Sequence, residues 1–412
     1  MAEIKHVNME STFETKNFES MAVKANLDNL ERKYFEKLKA ELMQILGGKT
    51  FEDIEKTQEI VLARRVHNKM AQILEFLKSK EINDEEMKEQ AYKELLAWAR
   101  DDVEKENPEE WLEQTFDLDE LPRMKVRGAE LDLSKTKVSY LPENLEVASL
   151  AISYTKKLTV LPKGIKLEKL YARYSEITTL EGVEVTKVID IWGNEKIKSL
   201  PIGTKVEELN VGGSDLSTLE GVEVTKILHI AGTTKIKSLP SGTKVEELYV
   251  EYSVFSTLEG VEVTKILNIR GNETLTSLPS GTKVEELYAE YSGLSTLEGV
   301  EVTKILNIND NKKLKKLPID TIVEELYARD SELSTLEGVT VTKILNISGN
   351  KKITRLPSGT KVENLCVAES LLQDLPDDLI VRNDLNVSGC SEIVKSKARE
   401  FYKKGQIGEL TL

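Results

Sequence analysis

Cysteine is almost absent: Cys366 and Cys390 are the only two in 412 residues. They form neither a disulfide framework nor a paired-cysteine metal site. Histidine is nearly as scarce, with His6, His67 and His229. In the repeat pattern described below, His229 and Cys366 fall seven strands apart. That is roughly 34 Å at about 4.8 Å per strand, which excludes a cysteine–histidine nucleophile pair. No run approaches the roughly 20 apolar residues of a membrane span. The opening stretch MAEIKHVNMESTFETKNFES has no apolar core of a secretory signal. A cytoplasmic location without membrane association is expected, and export as an effector by a machine that reads a polar N-terminus stays open. Basic excess is missing too, since the net charge is −14. Residues 1–120 hold 18 Lys+Arg against 29 Asp+Glu, and the remainder 39 against 42. Such surfaces do not suit nucleic acid, whose phosphates require a cationic face. No phosphate-binding glycine loop, dinucleotide fingerprint or HExxH helix occurs. Carboxylate pairs such as Glu285-Glu286 stand beside lysines of adjoining units, Lys265 and Lys304, and read as a charge-balanced, solvated face. Enzymatic activity, a cofactor and a metal are therefore not expected.

What the chain has is repetition. The glycine of a Leu-Glu-Gly triplet recurs at Gly182, Gly221, Gly260, Gly299 and Gly338, always 39 residues apart. Each unit holds two strand-like pentapeptides, one like KILNI and one like EELYA. Their central apolar residues alternate at spacings of 20 and 19, as in Leu267, Leu287, Leu306 and Leu326. The module is thus a half-unit of about twenty residues, the signature of a solenoid. Degenerate copies around Leu131, Leu150 and Leu170 precede the regular ones. A proline follows leucine once per 39-residue unit at Pro162, Pro201, Pro240, Pro279, Pro318 and Pro357, where the chain leaves the strand side. A return this short lacks room for a crossover helix, so extended chain or a tight helical turn is expected there.

Before the repeats the period is helical. Leu27, Leu30, Tyr34, Leu38, Leu42 and Ile45 form one stripe, ended by Gly47-Gly48. Thr50 opens a second helix that turns Ile54, Val61, Val66, Met70, Ile73 and Leu77 inward. A third starts at Asn83 or Asp84, and Asn107-Pro108 starts a short fourth. The expected architecture is α+β overall. Residues 1–25 form a mobile segment, 26–115 an acidic helical bundle, 116–390 the solenoid and 391–412 a helix-and-strand cap. In that cap Ser391 to Lys404 is expected to be helical, with Gly405 ending it and IGELTL as the closing strand.

Aligned on the strands, the half-units read LxxLxLxxN: Val284, Leu287, Ala289 and Ser292 in one, Val302, Leu306, Ile308 and Asn311 in the other. This pattern resembles the leucine-rich repeat, and the short half-unit ending in Leu-Pro is similar to the LPX type of bacteria. The resemblance covers roughly residues 120–412. It implies a right-handed coil with a concave parallel sheet. It also implies that a polar ninth residue turns inward to bond backbone: Asn194, Thr233, Asn272, Asn311 and Asn350 in one series, serines in the other, and Cys390 near the end. Some bacterial effectors of this type carry a helical hairpin before their repeats.

Residues flanking the inward leucines face the concave side. There the pattern places Tyr171, Arg173, Trp192, Tyr249, Glu251, Arg270, Tyr288, Glu290, Tyr327 and Arg329. Tyr, Trp and Arg are the types in which binding energy concentrates. The column Ile227, Ile266, Ile305 and Ile344 either joins that face or tucks inward; the period allows both. The expectation is a monomeric, non-enzymatic module that binds a protein partner on this face. Alternatives are an effector whose repeats target while the helical part acts, and a structural or surface protein.

Overall fold

The computed structural model describes residues 29–46, 69–73 and 84–412. The expectations for residues 1–25, and most of the helix opened at Thr50, lie outside the described residues. The chain divides into two compact units, residues 1–94 and 95–412.

In the first unit, helix α1 (Asn29–Leu46) buries Phe35, Leu38, Leu42 and Leu46. The buried stripe is turned by about one position from the expected one, and Tyr34 is exposed. Phe35 is the larger apolar group, and burying it in place of Tyr34 leaves the phenol at the surface. Residues 69–73 are helical, with Met70 and Ile73 buried, and Lys69 Nζ lies 2.5 Å from the Glu41 carboxylate. Helix α2 (Asp84–Ala97) crosses the division between the units.

The second unit opens with a π-helical turn, Trp98–Asp102, and helix α3 (Pro108–Thr115), with proline at its first position. Asn107 precedes it without a side-chain capping bond. Trp98, Trp111 and Phe116 meet in one cluster, their ring centroids about 6 Å apart. Trp98 Nε1 donates to the Tyr140 carbonyl at 3.0 Å, and the Asp102 carboxylate accepts from Ser139 N and Oγ at 2.8 and 2.6 Å. These bonds, with a bridge between Phe116 and Val126, tie residues 98–116 to the start of the repeats.

The repeats form a parallel β-solenoid of about 14 turns. Its strands are β1 (Met124–Lys125), β2 (Glu130–Asp132), β3 (Leu145–Glu146), β4 (Ser149–Ala151), β5 (Lys166–Tyr171), β6 (Glu184–Asp190), β7 (Lys205–Asn210), β8 (Glu223–His229) and β9 (Lys244–Tyr249). They continue with β10 (Glu262–Asn268), β11 (Lys283–Tyr288), β12 (Glu301–Asn307), β13 (Ile322–Tyr327), β14 (Thr340–Asn346), β15 (Lys361–Val362), β16 (Asn364–Cys366), β17 (Ile380–Asn386) and β18 (Ile407–Thr411). Apart from the β1–β3 pair, they make one 16-stranded sheet, in sequence order except that β15 and β16 both pair with β17, every pairing parallel. The return side carries no helix among the described residues; it consists of turns and extended chain.

Two tight turns recur in each unit. Val183 N donates to Leu180 O at 3.0 Å across Glu181-Gly182, and Thr204 N to Pro201 O at 3.1 Å across Ile202-Gly203. Gly182 and Gly203 stand third in these turns at φ of 78° and 88°, a conformation that a Cβ strains. Gly203 N then donates to the carbonyl of Gly221 in the next turn at 2.8 Å, which links the coils.

Strand registers resolve the isoleucine column. Val284 pairs with Val302 and Leu287 with Leu306, but Glu285 alone faces both Thr303 and Lys304. The seven-residue strands therefore bulge by one residue, and the bulge recurs in every KILN strand from β6 to β14. Beyond it Ile305 pairs with Glu286, beside the inward Leu306, so the isoleucine column is half-buried on the outer face of the sheet.

The bulge also aims each lysine at a glutamate one coil earlier. Lys187–Glu168, Lys226–Glu207, Lys265–Glu246 and Lys343–Glu324 close at 2.6–2.7 Å, and Lys304 pairs with Glu285 in the same way. Asp215 sits between Lys198 and Lys235, which hold its carboxyl down at about 2. Lys226 lowers the Glu207 carboxyl in the same manner. Depressed carboxyls stabilise the fold above their unfolded values, and that contribution is lost as pH falls through the folded ones. Denaturant midpoints are thus expected to be flat near neutrality and to decline from the ordinary carboxylate range downwards, the Asp215 contribution vanishing last. A midpoint unchanged down to the pH of the Asp215 transition would show that the ladders contribute nothing.

The C-terminal cap forms as the sequence suggests. Helix α4 (Glu392–Lys403) is capped by Ser391 Oγ, which accepts from Val394 N at 3.4 Å, and it buries Val394, Ala398 and Phe401. Gly405 ends it at φ 74°, and β18 adds beside β17.

Candidate functional site

Inside each coil the leucines are buried, so the residues beside them make up the outer face of the sheet. The face has three columns. One alternates glutamate and isoleucine, as in Glu247, Ile266, Glu286 and Ile305. The second runs Tyr171, Asp190, Asn210, His229, Tyr249, Asn268, Tyr288, Asn307 and Tyr327. The third, two residues further on, carries Arg173, Trp192, Gly212, Ala231, Glu251, Arg270, Glu290 and Arg329.

The tyrosines stand over the first column. Tyr249, Tyr288 and Tyr327 donate their hydroxyls to Glu247, Glu286 and Glu325 at 2.8, 2.8 and 2.7 Å. Burial first, and the carboxylate next, push the Tyr288 and Tyr327 phenols up to about 12, and Tyr249 is raised by the same causes. The asparagines reach the other way: Asn268 Nδ2 donates to Glu251 Oε1 at 2.7 Å and Asn307 Nδ2 to Glu290 Oε1 at 2.8 Å. The second oxygen of each of these two carboxylates is buried and meets no donor. Burial raises the Glu251 carboxyl.

At the β5–β8 end the face changes character. Arg173 donates from Nε and Nη2 to Asp190 Oδ2, both at 2.6 Å, and Asp190 is 4% exposed. The other Asp190 oxygen accepts from Trp192 N at 3.3 Å. Trp192 lies flat across Gly212, where a Cβ would come within 2.2 Å of its ring, and its Nε1 donates to the Tyr174 hydroxyl at 3.1 Å. Tyr174 in turn lies across Gly193 and stacks on Tyr154 at 5.3 Å. His229 stacks on Tyr249 at 4.0 Å with the rings 3° from parallel, and burial lowers its pKa.

Farther along, the Arg270 guanidinium sits 5.7 Å from the Tyr252 ring and 6.0 Å from that of Tyr291. Tyr252 lies across Gly271, whereas two coils on Asp310 stands at that place and raises the pKa of the Tyr291 phenol. Arg329 pairs with Asp330 at 2.9 Å.

The residues singled out from sequence thus lie on one face but in different states. Tyr249, Tyr288 and Tyr327 are hydrogen-bonded to glutamates of their own strands, Glu251 and Glu290 accept from Asn268 and Asn307, Arg173 and Arg329 are engaged in ion pairs, Trp192 lies on a glycine floor and Arg270 lies on an aromatic shelf. The glycine floors under Trp192, Tyr174 and Tyr252 were not picked out by sequence reasoning. They were detectable as a glycine one coil after each large side chain.

Among the described residues no three His, Cys, Asp or Glu side chains are grouped to hold a metal ion. Nor is any helix among them long and apolar enough to cross a membrane. A groove of about 590 Å³ lies off this face where strands begin, lined by Val183, Ile202, Lys205 and Thr225. Smaller versions recur at the same place in later coils, which marks it as a feature of the turns. Comparison with protein-family models finds no match, and comparison with curated proteins finds none either.

Proposed function

We propose that the protein is a cytoplasmic, non-enzymatic binding module of the leucine-rich-repeat type that grips a protein partner on the concave, outer face of its sheet. The observation that supports this most is the lattice of half-buried tyrosines, with Trp192 and Arg270 beside it, on a sheet whose strands are locked coil to coil. Such a surface is preformed, so a partner meets aromatic anchors without the cost of ordering them. The repeat assignment rests on the buried leucine ladder and on the inward ninth residue. Asn194, Asn272, Asn311 and Asn350 are fully buried and bonded to backbone or to the serine one coil earlier. Cys390 does the same through Sγ, 3.0 Å from the Val367 carbonyl.

Replacing Tyr249, Tyr288 and Tyr327 together by Ala is expected to weaken capture of the natural partner by about a hundredfold or more, since each anchor contributes about 1–2 kcal/mol. Quantitative pull-down, with circular dichroism to confirm the fold, measures it. Undiminished capture by a folded triple variant would refute the role of this face.

A further inference from the structure

We infer that the outer face selects a cationic partner: a protein segment that presents a row of Lys or Arg side chains interspersed with apolar ones. This rests on the face being the binding surface, as proposed above. The two successive glutamates of each KVEEL strand have different fates. The first of the pair, Glu207, Glu246, Glu285 or Glu324, is neutralised by the lysine of the following strand. The second, Glu208, Glu247, Glu286 or Glu325, turns to the outer face and pairs with no lysine or arginine among the described residues. Its neighbours in register are Ile227, Ile266, Ile305 and Ile344, which offer no charge. Recurring on every second strand, these carboxylates stand about 10 Å apart in a line.

Glu251 and Glu290 add two more carboxylates in the third column, four residues along the chain from Glu247 and Glu286, each with one buried oxygen that meets no donor. The cations of the face do not balance them. Arg173 is spent on Asp190 and Arg329 on Asp330, which leaves Arg270 on its aromatic shelf and Lys169 at the β5 end of the first column. Among the described residues, six half-buried carboxylates therefore face two uncommitted cations, and Lys169 lies at one end of the row. A partner that brings positive charge gains from carboxylates of which all but Glu208 are already held in place by tyrosine or asparagine, and an acidic one is repelled. The isoleucines between the glutamates call for apolar side chains at the same contact, so a segment of protein fits better than a small polyamine. The tyrosine rings add a surface on which an ammonium or guanidinium can rest.

The test is calorimetric titration of the full chain, at low ionic strength, with a synthetic amphipathic peptide of lysine and leucine and with its glutamate–leucine counterpart. Two quadruple variants remove equal charge. E208Q/E247Q/E286Q/E325Q strips the outer row and leaves each tyrosine an acceptor, whereas E207Q/E246Q/E285Q/E324Q strips the lysine-paired row. The expected result is binding of the lysine peptide alone, weakened at least about tenfold by the first set and less than about twofold by the second. Equal weakening by both sets would reduce the effect to net charge and overturn the inference. So would failure of the wild-type chain to bind the lysine peptide, or equal affinity for the glutamate peptide. If the tyrosine triple variant loses its partner while the lysine peptide does not bind, the face stands as a binding surface and only its cation preference falls.

Discussion

Asn194→Ala is expected to lower the stability of the repeat unit by about 3 kcal/mol or more, among the largest losses from any single polar truncation in the solenoid. Asn194 is fully buried. Its Nδ2 donates to the carbonyls of Ser175 and Ile177, both at 3.1 Å, and its Oδ1 accepts from Lys196 N and Ile197 N, both at 2.9 Å. Alanine strands all of these backbone groups in an apolar interior. The other members of the series grade the effect. Asn272 donates to Val250 O and Ile269 O at 2.7 and 3.0 Å, but its Oδ1 meets no donor, so Asn272→Ala is expected to cost less. Thr233 makes one bond from Oγ1, to Ile230 O at 2.9 Å, and its truncation is expected to cost about 1 kcal/mol. Denaturant titration checks the order Asn194, Asn272, Thr233. Each turn contacts chiefly its neighbours, so amide hydrogen exchange in Asn194→Ala should accelerate first in β5–β7 and leave β12–β14 protected. An equal cost at all three sites, or uniform acceleration along the solenoid, would defeat the argument.

Much of this architecture is legible in the sequence because it repeats. A leucine that returns every 19 or 20 residues can be buried only by stacking like on like, so the period alone places strands, sheet and interior. The cap helix at Glu392–Lys403 was equally legible, since Ser391 and Gly405 bracket an amphipathic stretch. What stayed hidden depends on pairs of coils and not on one coil. Tyr174 over Gly193 and Trp192 over Gly212 are matches of large to small between residues about twenty apart, invisible within any single repeat. The isoleucine column could not be placed because a one-residue bulge reverses the faces of what precedes it, and periodicity does not say where the extra residue is spent. Glu285 and Glu286 read alike as parts of a charge-balanced face. The bulge separates them, giving one a lysine and the other a tyrosine. At the helical end, α1 exposes Tyr34 and buries Phe35, a choice between adjacent aromatics that the spacing alone does not make.

Arg173→Ala should be the most costly charge removal on the outer face, and the reason is Asp190 rather than any partner. The Asp190 side chain is 6% exposed and that of Arg173 52%, so the pair is half-sheltered. Removing the guanidinium leaves a carboxylate with only Trp192 N to bond. Breaking a fully buried pair costs about 3–5 kcal/mol, and the exposure of Arg173 reduces the expectation to about 2–3 kcal/mol. The penalty belongs to the ionised carboxylate, so Arg173→Ala/Asp190→Asn is expected to recover most of the loss at neutral pH.

A second readout follows from His229, whose pKa burial lowers, which Asp190 and Glu247 draw upward, and which Arg173 opposes. Without Arg173 that opposition is gone, so the imidazole is expected to titrate at higher pH in Arg173→Ala, and the shift should largely disappear in the double variant. Nuclear magnetic resonance of the His229 ring measures it, and Trp192 emission reports whether the indole leaves Gly212. If the double variant is no more stable than Arg173→Ala and the imidazole does not move, Arg173 is not the counter-charge of Asp190, and its place on this face would instead be that of a direct contact for the partner.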